Sequence, residues 1–180
     1  MENTFYAQLG NLPPLLNPDT EFPRFDQRGH YKQNYEEFVN LDWVKLLDQH
    51  QLYIHLLELF YYPPSGKLSS SDIHIDGSPA DRGKINFIVG GPKSLMNWYK
   101  PKLEKQGDKT TIGTSRVSYL KSEVDIVYSY PVTDLVLVQV GIPHNIINLG
   151  EERWCFSLVV IDKLTDKQAT FARLYKALIK

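Results

Sequence analysis

The residues best suited to chemistry lie at two places far apart in the chain. His74 and Asp76 sit within Ser71-Asp72-Ile73-His74-Ile75-Asp76-Gly77, and His144 lies within Val138-Gln139-Val140-Gly141-Ile142-Pro143-His144-Asn145. In an extended chain, residues i and i+2 project from the same face, with Cα atoms roughly 6.6 Å apart. An imidazole and a carboxylate so placed converge on one cation, while Ile73 and Ile75 face away into packing. Gly77 permits an immediate turn afterwards. Alone, His-x-Asp is a weak signal and reads first as a surface histidine beside a turn aspartate. His144 follows a Gly-Ile-Pro turn and opens a strand of Ile146, Ile147 and Leu149; alone, it reads as a core histidine satisfied by a backbone carbonyl.

Taken together, two imidazoles and one carboxylate make a three-ligand set on one face of an octahedral ion. The opposite positions then admit substrate and dioxygen, the pattern of non-haem Fe(II) sites, although the same donors suit Zn(II) or Mn(II). Arg153 lies across the turn Asn148-Leu149-Gly150-Glu151 from His144. A hairpin loop of two or four residues sets Arg153 opposite Ile146, on the face of His144, where a guanidinium can clamp a carboxylate with two hydrogen bonds. A three-residue loop turns it outward, and a solvated pair with Glu151 or Glu152 is the plain alternative. Cys155 and Ser157 share the Arg153 face and leave room for a ligand. Trp154, Phe156, Leu158 and Val160 form the opposite face.

Positioning these groups requires a β-rich scaffold. Residues 1 to 34 are rich in Pro, Asn and Asp and read as an irregular arm; Tyr35 to His50 has helical apolar spacing. Leu52 to Tyr62 is a long apolar run closed by Pro63-Pro64. Short strands follow at Ile85–Val89, Leu95–Tyr99, Arg116–Leu120, Glu123–Tyr130, Leu135–Val140, Ile142–Leu149 and Trp154–Ile161, and Thr165 to Ile179 reads as a terminal helix. Many short strands between turn signals predict an antiparallel sandwich or barrel, with helices at the two ends covering one face. The polar stretch from Lys100 to Ser115 has the length of a lid.

Composition narrows the function classes. Lys and Arg (20) balance Asp and Glu (21), without a basic run, so neither nucleic-acid nor anionic-membrane binding is favoured; a small or neutral substrate fits better. Cys155 is the single cysteine, which excludes an intrachain disulfide and a thiolate cluster within one chain, and fits a reducing, cytoplasmic setting. The N-terminus shows no signal-peptide pattern, and no stretch has the apolar length of a membrane helix. His30, His50 and His55 lack carboxylates at ligand spacing and read as structural. Oligomeric state stays open.

The order His74-x-Asp76, His144 and Arg153 resembles the Fe(II)- and 2-oxoglutarate-dependent dioxygenase superfamily over roughly Leu52 to Val160. Ile85-Asn86-Phe87-Ile88-Val89 and Asn97-Trp98-Tyr99 look like the strands that follow the proximal ligands in such proteins. The resemblance implies a mainly β protein, a double-stranded β-helix (jelly roll, cupin-like) with flanking N- and C-terminal helices. One domain would span 1–180: arm and helix 1–50, β-helix core 51–161, helix 165–179. It also implies Fe(II), 2-oxoglutarate as co-substrate held at its distal carboxylate by Arg153, O2, and hydroxylation of a C–H bond in a small molecule or peptide side chain. The aspartate in the triad speaks against the halogenating branch. Asn86, polar in an apolar strand, is placed to hydrogen-bond the co-substrate or else marks a bulge or edge. Tyr61 and Tyr53 can reach the same pocket, or pack with satisfied hydroxyls; Trp98 reads as core. Two rivals share the fold: a metal-dependent cupin enzyme not using 2-oxoglutarate, and a non-catalytic jelly roll that binds a small ligand.

Overall fold

The computed structural model describes residues 5–23, 25–76, 81–105, 108–109 and 115–179. The turn expected at Gly77, and Gly107 and Gly113 of the candidate lid, lie outside the described residues. The strands are β1 (Tyr6–Gln8), β2 (Gly29–Gln33), β3 (Leu52–Tyr62), β4 (Ser69–Ser70), β5 (Ile73–Asp76), β6 (Gly83–Gly90) and β7 (Leu95–Pro101). There follow β8 (Asp108–Lys109), β9 (Ser115–Tyr119), β10 (Val124–Pro131), β11 (Asp134–Gln139), β12 (His144–Asn148), β13 (Arg153–Asp162) and β14 (Lys167–Gln168). The helices are α1 (Tyr35–Phe38), α2 (Leu41–Gln49) and α3 (Phe171–Leu178).

Two antiparallel sheets stack face to face. The first runs β1-β11-β6-β13-β3-β2 with β14 beside β13; the second runs β10-β7-β12-β5-β9-β8 with β4 beside β12. Successive strands β10, β11, β12 and β13 alternate between the sheets, the winding of a double-stranded β-helix, or cupin-like jelly roll.

Period-two alternation sorts each strand into an inner and an outer face. Leu57, Leu59 and Tyr61 of β3, and Trp154, Phe156, Leu158 and Val160 of β13, join the core under the helices. The helices α1 and α2 pack on β3, and α3 packs on β6 and β11, so all three cover the outer face of the first sheet. Between the sheets lie Ile88, Met96, Trp98, Val136, Val138 and Cys155. Trp98 is fully buried and its indole N–H donates to the Gln139 carbonyl at 2.8 Å.

Three elements differ from the sequence-based expectation. The helix expected over 35–50 divides in two because Val39 is extended and the Asn40 side chain accepts from Asp42 N at 2.9 Å, opening a new helix. The terminal helix starts late, since Lys167–Gln168 first pair with β13 and Thr170 then caps Arg173 N at 3.1 Å. The N-terminal arm is not wholly irregular: β1 and β2 extend opposite edges of the first sheet.

Candidate metal centre

Strand pairing brings the two histidines together. In the antiparallel register of β5 with β12, His144 lies opposite His74, and their ring centroids are 4.7 Å apart. Asp76 shares the His74 face, while Ile73 and Ile75 pack on the outer side of the sheet with Tyr99, Val117, Tyr119 and Val124. One ligand atom from each of His74, Asp76 and His144 falls within 4.8 Å of the others.

Backbone contacts at Nδ1 orient both imidazoles. His74 Nδ1 is 2.8 Å from the Asp72 carbonyl oxygen, and His144 Nδ1 is 2.9 Å from that of Ile142. A carbonyl only accepts, so each Nδ1 carries a proton; His144 Nε2 is then free to offer its lone pair, whereas His74 Nε2 lies 3.2 Å from Asp76 Oδ1. Burial, reinforced by His74, pushes the His144 imidazole down to about 4, so it is neutral near pH 7. Burial also works against the charge on Asp76, but the Lys84 ammonium and the His74 hydrogen bond outweigh it and hold the carboxyl well below its ordinary value. About 27% of the Asp76 side chain remains open to the cavity.

Lys84 and Glu58 are site residues that the sequence reading passed over. Lys84 Nζ donates to Asp76 Oδ2 at 2.7 Å and Glu58 Oε2 at 2.6 Å, and the residue is only 7% exposed. Glu58 Oε1 is also 3.3 Å from His30 Nε2, and the His30 ring stacks on Phe60. Each interrupts an apolar strand on its inward-facing register, Glu58 beside Phe60 and Lys84 beside Asn86, which is the signal that marks them.

Arg153 reaches the site by a route other than the expected hairpin. β12 and β13 belong to different sheets, and Arg153 is registered with Tyr62 of β3 and Gly90 of β6. The intervening turn is a corner between sheets: Gly150 has φ +87, and its carbonyl accepts from both Ser65 N and Gly66 N at 3.0 Å. An added Cβ at Gly150 would lie 2.4 Å from Lys67 N, so the close approach requires glycine. Arg153 nevertheless points inward with Cys155 and Ser157, because those alternate residues of β13 line the cavity. It is 2% exposed, its Nε has no hydrogen-bond partner, and it pairs with no carboxylate among the described residues. Glu152 instead accepts from Tyr61, and Glu151 faces Lys93.

Tyr61 does not reach the cavity. It lies opposite Trp154 on the helix-facing side of the sheet, with ring centroids 4.1 Å apart, and its hydroxyl donates to Glu152 Oε1 at 3.0 Å. The inward neighbour Tyr62 takes that place; its hydroxyl accepts from Arg28 at 3.1 Å. Tyr53 is partly exposed and outside the cavity wall. Asn86 does line the cavity, opposite Ser157 in register, and its Oδ1 is buried without a partner.

The cavity holds about 90 Å³, several times the ~10–15 Å³ that one water needs. Its charged lining is Asp76, Lys84 and Arg153, with Glu58 behind Lys84, so apart from the imidazoles two carboxylates stand against two cations. A divalent ion would leave two positive charges in excess, the complement of a dianion.

These features define a jelly-roll protein with a candidate divalent-metal centre. No family model matches the chain, and no curated protein does. Similar solved structures include the capsular polysaccharide assembling protein CapF of Staphylococcus aureus, 15% identical over 57% of this chain and 22% of that one, with a TM-score of 0.34. E. coli ycfD is 14% identical over 58% and 25%, TM-score 0.36. A variant of Bacillus subtilis oxalate decarboxylase is 12% identical over 91% and 30%, TM-score 0.35. The chain thus spans under a third of each of these proteins. Among the described residues, no helix is long and apolar enough to cross a membrane.

Proposed function

We propose that this protein is a metal-dependent enzyme and, more specifically, an Fe(II)- and 2-oxoglutarate-dependent oxygenase that hydroxylates a C–H bond of a small molecule or peptide side chain. The observation that carries the reading is Arg153, a buried guanidinium in the same cavity as His74, Asp76 and His144 that pairs with no carboxylate among the described residues and whose Nε has no hydrogen-bond partner. Burying an unpaired charge is costly, so such a group calls for an anionic ligand. A dicarboxylate supplies it: one end reaches the ion, the other meets Arg153, and the two charges match the cavity's excess. Nε2 of both histidines and one oxygen of Asp76 would hold the ion, which when bound supplies redox chemistry with dioxygen. The chain's own residues position the co-substrate, with Arg153 as clamp and Asn86 Oδ1 as an acceptor, and apolar Phe60, Met96, Val140 and Ile146 limit water.

A second reading keeps the ion and dispenses with the co-substrate. It is favoured by Lys84, a permanent cation against Asp76 that can polarise an anionic substrate bound directly at the metal. Anaerobic addition of Fe(II) and 2-oxoglutarate separates the two. A weak visible charge-transfer band supports the oxygenase; metal binding without that band or any 2-oxoglutarate affinity leaves the second reading.

A further inference from the structure

Lys84 has a use that does not depend on which substrate the site takes, although it rests on the metal-site reading above. A carboxylate ligand can present one oxygen or both to an ion, and the choice alters geometry and the number of open positions. Here the two oxygens of Asp76 already have different partners. Oδ1 lies 3.2 Å from His74 Nε2. Oδ2 is turned away and held by Lys84 Nζ at 2.7 Å. Lys84 is itself held from behind by Glu58 at 2.6 Å, and Glu58 by His30 at 3.3 Å. The chain of contacts therefore runs from an exposed histidine on β2 through β3 and β6 to the carboxylate on β5, tying both sheets to one ligand.

We propose that Lys84 is a positioning residue of the metal centre: its ammonium captures Asp76 Oδ2, leaves Oδ1 alone to face the ion, and is anchored for that task by Glu58. Positioning by Lys84 differs from simple electrostatics because the two act on metal affinity in opposite directions. A cation beside a metal site repels the ion, so a lysine acting through charge alone weakens binding, and its removal tightens it. A lysine that orients the ligand strengthens binding, and loss of such support typically weakens metal affinity ~10–100-fold.

The test uses Lys84→Met and the double variant Glu58→Leu with Lys84→Met, titrated with Mn2+ by the loss of the free-ion resonance signal. The single variant leaves Asp76 and Glu58 facing each other without a cation and is the one at risk of misfolding. The double variant removes one charge of each sign, so the local charge is unchanged and the fold keeps an apolar filling. Mn2+ affinity ~10–100-fold below wild type in the double variant is the expected result. Its Co2+ form should also show weaker d–d absorption, as Asp76 brings its second oxygen to the ion. A double variant that binds Mn2+ as tightly as wild type, or more tightly, overturns the proposal. Weakened binding with unchanged Co2+ bands overturns it too, assigning Lys84 to the fold. Wild-type protein that binds neither ion instead removes the metal-site reading itself.

Discussion

Replacing Arg153 with methionine should stabilise the ligand-free protein while stripping it of affinity for a dicarboxylate. The guanidinium is 2% exposed, its Nε has no partner, and no carboxylate pairs with it among the described residues. Replacing a whole buried ion pair with apolar groups of similar volume is often neutral or stabilising by ~1–4 kcal/mol, and removing a buried cation that has no carboxylate in contact is expected to gain on the same order. Methionine keeps the unbranched stem that packs beside Gly91, so little contact is lost. For a chain of this length each kcal/mol moves the melting temperature by ~2–4 °C, which predicts a rise of roughly 2–16 °C in chelator. The ligand side moves the other way. Two charge-assisted hydrogen bonds at ~1.5–3 kcal/mol each amount to ~3–6 kcal/mol, or about a hundredfold to ten-thousandfold in affinity. Differential scanning calorimetry of the metal-free protein measures the first effect, and calorimetric titration of 2-oxoglutarate into the Mn2+ form the second. A metal-free variant that melts below wild type, and binds 2-oxoglutarate equally well when loaded, would refute the assignment: the guanidinium would then be a satisfied structural group.

Gly91 offers a quieter perturbation of the same clamp. It has φ +54, and an added Cβ would lie 2.9 Å from Arg153 Cβ and 3.0 Å from its Cδ, so Gly91→Ala should displace the guanidinium and weaken 2-oxoglutarate binding at least tenfold while sparing Mn2+ affinity; equal losses of both contradict this. The metal-free protein should also lose stability as pH falls from about 6.5 to about 4. Over that range the unfolded chain protonates at the His144 position while the folded imidazole, held down to about 4, resists, so its contribution is complete above the upper limit and disappears towards the lower one. The loss is on the order of 3 kcal/mol. Urea midpoints at pH 7 and 4.5 measure it; a profile equally steep in His144→Gln would show that another group is responsible.

Much of the fold was legible because burial imposes periodicity. The alternation that places Trp154, Phe156, Leu158 and Val160 on one face and Arg153, Cys155 and Ser157 on the other is a local property of an extended chain and does not depend on which strand lies beside it. The His74–Asp76 pairing on one face follows from the same period of two. The pairing of strands is a different matter, because it depends on segments distant in sequence. Nothing local to Asn148-Leu149-Gly150-Glu151 says that the turn crosses from one sheet to the other; that is fixed by the contact of Gly150 with Ser65 and Gly66. Tyr61 and Tyr62 are adjacent and alike in type, so only the register of β3 against β13 decides which faces the cavity.

Local spacing therefore determined which side chains could act together within a strand: an imidazole with a carboxylate, and a guanidinium with two small neighbours. Tertiary structure alone decided which strands meet, and with it the approach of His144 to His74, the burial of Arg153 away from any paired carboxylate, and the capture of Asp76 by Lys84. The reason is physical. A strand's facing follows from its own backbone geometry, whereas its neighbours are chosen by the packing and hydrogen bonding of the whole chain, where a charge buried in one sheet finds its partner in the other.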